Sequence, residues 1–173
     1  APAPTTSSVP AADRTLGLWP PGGADTPEDA AFAFVRDVFS VEPNLGEFRA
    51  GDARSGEIDV RGPEEAPGVR AVAFVRQLAP DDAWYVIGAA SDGVEITEPE
   101  TQATVPAEPL TVEGLGRGFE STINVRALLA DDGTELDSAI GVGGPFGDLE
   151  PYDVVLDLSD AEPGDTVMVV ARG

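Results

Sequence analysis

The chain has no cysteine and no histidine, and its ten basic residues are all arginine, so lysine is missing too. Without Cys and His there can be no thiol nucleophile, no Ser-His-Asp triad, no thiolate or imidazole zinc site and no disulfide. Without Lys, Schiff-base chemistry and a P-loop lysine are also excluded. Positive charge is scarce: 32 acidic residues against ten arginines give a net charge of -22. Such a surface repels phosphates and anionic headgroups, so nucleic acid is not an expected partner. No apolar run approaches the roughly 18 residues that a membrane span needs, and no signal-peptide pattern occurs. For catalysis there remain carboxylates, hydroxyls and arginine.

The 173 residues suffice for one ordinary domain or two small ones, and domains of about 75 residues bury only roughly 60% of the surface their unfolded chains expose. Residues 1 to 15, APAPTTSSVPAADRT, are small, Pro-rich and Ser/Thr-rich. Their composition predicts a disordered tether, of the sort that joins an exported domain to a membrane or lipid anchor upstream of residue 1.

Residues 16 to 98 read as a small α+β domain. Thr26 followed by Pro27, Glu28 and Asp29 forms a helix start, with a capping hydroxyl, proline in the first turn and acids at the positive end of the dipole. Ala31, Phe34, Val35 and Val38 recur at helical spacing, which predicts an amphipathic helix over residues 27 to 40. Segments 57–61, 69–78 and 83–90 are strand-like and are separated by turn residues. The simplest arrangement is one helix on a three-stranded antiparallel sheet, with Trp84 or Tyr85 between them. Prolines at 99, 106 and 109 mark a boundary, placed near Pro99.

Residues 100 to 173 show no helical period. Short strand-like segments alternate with DDG, GVGGPFG and AEPG, the pattern of a small β-sandwich. Gly114, Gly116 and Gly118 lead into Phe119-Glu120. A dinucleotide loop needs a helix after its glycines to hold the pyrophosphate; here a strand pattern follows, so the glycines read as a corner between strands. Phe119 is the expected core anchor of the second strand, and Glu120 the expected surface residue.

Pro109-Leu110, Gly114, Phe119-Glu120, Asp132-Gly133 and Pro145-Phe146 occur in the order and spacing of a known family. Over roughly residues 100 to 173 the chain resembles the bacterial immunoglobulin-like domain of spore-germination and sporulation proteins. The family continues into a final strand where this chain stops at Ala171-Arg172-Gly173, so the expected sandwich is short of an edge strand or cut there. The resemblance implies an all-β immunoglobulin-like sandwich that binds or spaces at the cell envelope and is not an enzyme. The preceding unit looks like the companion segment found upstream of this domain in actinobacterial envelope proteins and lipoproteins.

The expected function is therefore that of a non-catalytic extracytoplasmic binding or spacer protein, with a protein or cell-wall component as partner and no cofactor. One alternative is a carboxylate-dependent hydrolase or carbohydrate-binding module, since paired carboxylates are the one acid/base apparatus the composition permits. Another is a calcium-stiffened, adhesin-like spacer. Asp131, Asp132, Glu135 and Asp137 cluster around one hairpin, with Asp148 and Glu150 across a second loop, and oxygen ligands suit calcium. Their spacing does not match an EF-hand, and solvated acidic turns are ordinary in so acidic a chain. Salt adaptation would also account for the acidity. Trp19 beside Pro20-Pro21, together with Tyr85, supplies candidate partner-binding aromatics. The competing reading buries Trp19 against the α+β unit.

Overall fold

The structure, a computed structural model, describes residues 12, 13 and 16–173. Helix α1 spans Pro27–Phe39, and Thr26 Oγ1 accepts the Asp29 N–H at 3.1 Å to cap it. Glu28 and Asp29 occupy the first turn, and the helix ends at Ser40 in a left-handed conformation, before Pro43 is reached. The apolar stripe, Ala30, Ala31, Phe34, Val35 and Val38, is buried against a sheet through Ile58, Ala73, Val75 and Val86.

That sheet is larger than the three strands expected. β4 (Ser55–Arg61), β5 (Val69–Ala79) and β6 (Ala83–Ala90) match the three strand-like segments and pair antiparallel. Beyond them, β2 (Trp19–Ala24) borders β6 and β3 (Arg49–Ala50) borders β4. β1 (Ala12–Asp13) pairs parallel with Leu78 and Ala79 of β5. The rest of the expected tether, residues 1–11, 14 and 15, lies outside the described residues. β2 escaped notice because its sequence, WPPGGA, is written in turn residues, with Gly22 and Gly23 at φ 77° and 75°. It touches β6 in register only at Trp19↔Val86 and Ala24↔Trp84, and prolines are tolerated on such an edge.

The second unit is a sandwich of two three-stranded sheets. β8 (Leu110–Gly116) lies between β7 (Val94–Glu98) and β11 (Glu150–Leu156), and β9 (Thr122–Leu129) lies between β10 (Glu135–Val142) and β12 (Val167–Arg172). The boundary expected at Pro99 therefore falls earlier, before Val94. β7 pairs with β8 through Val94↔Gly116 and Ile96↔Gly114, and Thr97 Oγ1 donates to the Glu113 carbonyl at 3.2 Å. The sandwich core is made of Val112, Ile123, Val125, Ala127, Tyr152, Val154, Leu156 and Leu158.

The glycine trio is not a corner in its entirety. Gly114 and Gly116 lie within β8, where they make a slot for Tyr152: a Cβ at Gly114 would strike the Glu95 carbonyl and come within 2.7 Å of the Tyr152 ring. The Tyr152 hydroxyl donates to the Glu95 carbonyl at 3.2 Å, and burial pushes its pKa up to about 12. Nor is Phe119 the core anchor. It begins a one-turn 3-10 segment, Phe119–Ser121, in which Glu120 and Ser121 have positive φ, and its ring turns outward. β9 starts at Thr122, and Ile123 takes the anchoring place.

The two units share a core. Leu128 of β9 and Met168 of β12 point away from the sandwich interior into the cluster formed by Trp19 and α1, and Val170 packs against it. Arg126 Nη1 donates to the Val38 carbonyl at 2.7 Å, satisfying a last-turn carbonyl that the helix itself leaves free. The Trp19 indole lies against the β9–β10 turn at Gly133.

Candidate functional site: an open sheet face and its groove

Strand register shows how the outer face of the β10–β9–β12 sheet is divided. Leu128 pairs with Met168, and this row lies under Trp19 and α1. Next come Ser138, Arg126 and Val170, then Ile140, Asn124 and Arg172, and finally Val142 beside Thr122. Cross-strand partners project to the same side. The face is thus covered at one end and open at the other.

At the open end Ile140, Val142, Phe119 and Phe146 are 71, 74, 68 and 76% exposed. The Phe119 and Phe146 rings sit 6.2 Å apart, centroid to centroid. Single exposed apolar residues are commonplace, but four large ones on one side of one sheet form a patch of the kind that marks an interaction surface. Where the covered and open halves meet, a groove of about 550 Å³ is lined by Val38 and Phe39 of α1 and by Phe119, Thr122, Asn124, Arg126, Val170, Arg172 and Gly173.

Two local devices hold this face open. In β10 the inward positions are small, with Ala139 packed against the core and Gly141 lying so close to Tyr152 and Val154 that a Cβ would come within 3.3 and 3.1 Å of them. The branched residues, Ile140 and Val142, are left facing outward. The two Gly-rich stretches run side by side: Gly118 N–H donates to the Gly144 carbonyl at 3.1 Å, and Gly144 N–H to the Gly116 carbonyl at 2.8 Å. Their contact brings Phe119 and Phe146 together. The inverted size pattern of residues 139–142, small inward and branched outward, is the sequence signal by which the patch could have been found.

The residues singled out from the sequence lie elsewhere. Trp19 is only 7% exposed, its Nε1 donating to Asp37 Oδ2 at 3.4 Å, so it joins the two units and offers no surface to a partner. Tyr85 is wholly buried on the sheet face away from α1, and its hydroxyl donates to Asp81 Oδ2 at 2.9 Å. Neither aromatic is available for docking, because each is enclosed by its own fold. Trp84 takes the place beside the helix core and meets Phe48 edge-on at 5.6 Å.

The hairpin acids do not converge on a metal position, and among the described residues no group of three or more ligating side chains does. Asp132 Oδ1 accepts the Thr134 N–H at 2.8 Å, and this bond holds its carboxyl below the usual range. Glu135 Oε2 is 2.6 Å from Arg126 Nε. Asp137 accepts the Ser138 N–H on one oxygen and the Asp157 N–H on the other, at 2.8 and 2.7 Å. Asp131, beside them in the turn, is exposed. Asp132, Glu135 and Asp137 are thus occupied within the fold.

Carboxylate catalysis calls for one acid with its pKa raised. Five carboxylates are instead held below their ordinary value. Arg36 does this to Asp37 and Arg49 to Asp59, while backbone N–H groups do it to Asp52, Asp132 and Asp157. None of these five lines the groove.

No curated protein and no solved structure matches the chain. A family model does, over the sandwich alone: residues 93–172 match Gmad2, described as the immunoglobulin-like domain of bacterial spore germination. The match begins where β7 begins and supports the resemblance read from the sequence.

Proposed function

We propose that the chain is a non-catalytic binding and spacing protein of the bacterial cell envelope, outside the cytoplasm, serving spore germination through a protein partner or a cell-wall component. The observation that carries this reading is the open apolar end of the β10–β9–β12 face, where Ile140, Val142, Phe119 and Phe146 stand exposed together. The germination association of the family matched by residues 93–172 supports it. The Pro/Ser/Thr-rich composition of residues 1 to 15 supports a tethered position. The lowered carboxylates favour this reading over a hydrolase.

A photo-crosslinking amino acid placed at Phe146, or as a control at the exposed Val69, tests the proposal in an envelope fraction of the native cell. The expected result is one adduct at position 146, removed by an excess of unlabelled chain, with no such adduct at position 69. Absence of any competable adduct at 146 overturns the reading.

A further inference from the structure

The groove beside the apolar patch differs in charge from the rest of the molecule. In a chain carrying -22, its lining includes Arg126 and Arg172 and no acidic residue. A second hollow, about 400 Å³ and lined by Leu45, Gly46, Glu47, Arg49, Asp59 and Arg61, carries acids among its arginines. There Arg49 is held by Asp59 at 2.9 Å and by Glu57 at 3.3 Å, so its charge is answered within the fold. In the first groove Arg126 is likewise committed, to Glu135 and to the Val38 carbonyl. Arg172 is not: among the described residues its guanidinium makes no hydrogen bond or ion pair, and it stands exposed beside Asn124, whose amide is equally unused.

We propose that this groove receives an acidic peptide segment of a partner protein, one in which a large apolar side chain lies next to a carboxylate. The apolar side chain packs against Phe119 and the partly exposed Phe39, and the carboxylate pairs with Arg172. Asn124 provides a donor and an acceptor for the backbone of the segment between them. The inference rests on the binding reading above and narrows the partner.

Charge complementarity selects this occupant. The guanidinium offers a planar fork matched to a carboxylate, and a basic segment would meet two arginines in the groove itself. The overall negative charge does not forbid it. At physiological salt, fields are screened beyond about 8 Å, so a ligand seated in the groove responds to the arginines lining it more than to acids on distant faces.

The test uses the full chain and an array of synthetic twelve-residue peptides that vary independently in apolar content and in charge, probed at physiological salt. Retained peptides should be those combining a large apolar residue with Asp or Glu. Arg172→Glu should weaken that set by at least about tenfold, as expected for reversing one member of a charge pair, and Phe119→Ser should weaken it too. Both variants should melt with the parent, because both side chains are exposed. Retention of mainly basic peptides, of none, or of acidic peptides equally by Arg172→Glu overturns the proposal. The crosslink at Phe146 judges the wider reading separately, so a competable adduct there together with failure on the array would leave a binding protein with a different partner.

Discussion

The Trp19 indole and the backbone of Gly133 touch across the junction of the two units. A Cβ added at Gly133 would come within 2.6 Å of the indole Cη2, and the residue sits at φ 77°. One contact therefore couples an edge strand of the first sheet to a hairpin turn of the sandwich. Gly133→Ala should cost about 2 kcal/mol or more, from left-handed strain together with displacement of the indole. Trp19→Ala should cost about 3–5 kcal/mol, as for other large core truncations. In the double variant the Gly133 substitution should lose the part due to collision and keep only the strain, which urea melts of the four proteins would measure.

Arg126 is expected to matter more than a surface arginine. Its Nε pairs with Glu135 at 2.6 Å, while its Nη1 closes the Val38 carbonyl at the end of α1. Arg126→Ala should destabilise by about 1–3 kcal/mol, because a partly buried carbonyl loses a charged donor. Glu135→Ala, which removes only the exposed ion pair, should stay within about 1 kcal/mol. Equal effects of the two substitutions would contradict this division.

The slot for Tyr152 gives a third expectation. Gly114→Ala should be among the most damaging single substitutions, because its Cβ has no room between Tyr152 and the Glu95 carbonyl. Tyr152→Phe leaves the ring in place and removes one hydrogen bond, for about 1 kcal/mol. Paired melts of these two variants would separate shape from hydrogen bonding at the site.

Acid should unfold the protein in a defined window. The carboxyls of Asp37, Asp52, Asp59, Asp132 and Asp157 are held below their ordinary value in the folded chain. The stability they contribute is present above the unfolded carboxylate pKa of about 3.9 and is lost as pH falls through the lower folded values. From pH 7 down to about 5, relief of repulsion within a -22 chain acts in the opposite direction. Melting temperature should therefore hold or rise on mild acidification and fall below about pH 4. Asp132→Asn and Asp157→Asn should each flatten that fall.

Calcium should leave the melting temperature where a chelator leaves it. Both Asp137 oxygens are taken by backbone N–H groups and Glu135 is taken by Arg126, so the hairpin would have to break its own turn to coordinate the ion. A rise in melting temperature with calcium, absent with sodium at equal ionic strength, would show otherwise.

Helix α1 was legible in the sequence because its cap, its acids and its apolar stripe all agree, and strands β4 to β6 because their β-rich runs end in turn residues. β2 was not, since a strand written as WPPGGA carries none of the local signals and exists through its pairing with β6. Phe119 was misread for a related reason. The alternation from residue 119 onward is real, but the positive-φ turn at Glu120 and Ser121 shifts its first member out of the strand. The open face was not legible because Ile140 and Val142 of one strand are joined by Phe119 and Phe146 of two loops that only the fold brings together.

Leu128, Met168 and Val170 have a consequence for portability. They belong to the segment that matches the germination family, yet they pack into the cluster formed with Trp19 and α1, which lie outside it. A graft of residues 93–172 into another host would display that strip to water as a new adhesive surface. To be transplanted cleanly, the sandwich must take its helix along or have those three positions recoloured polar.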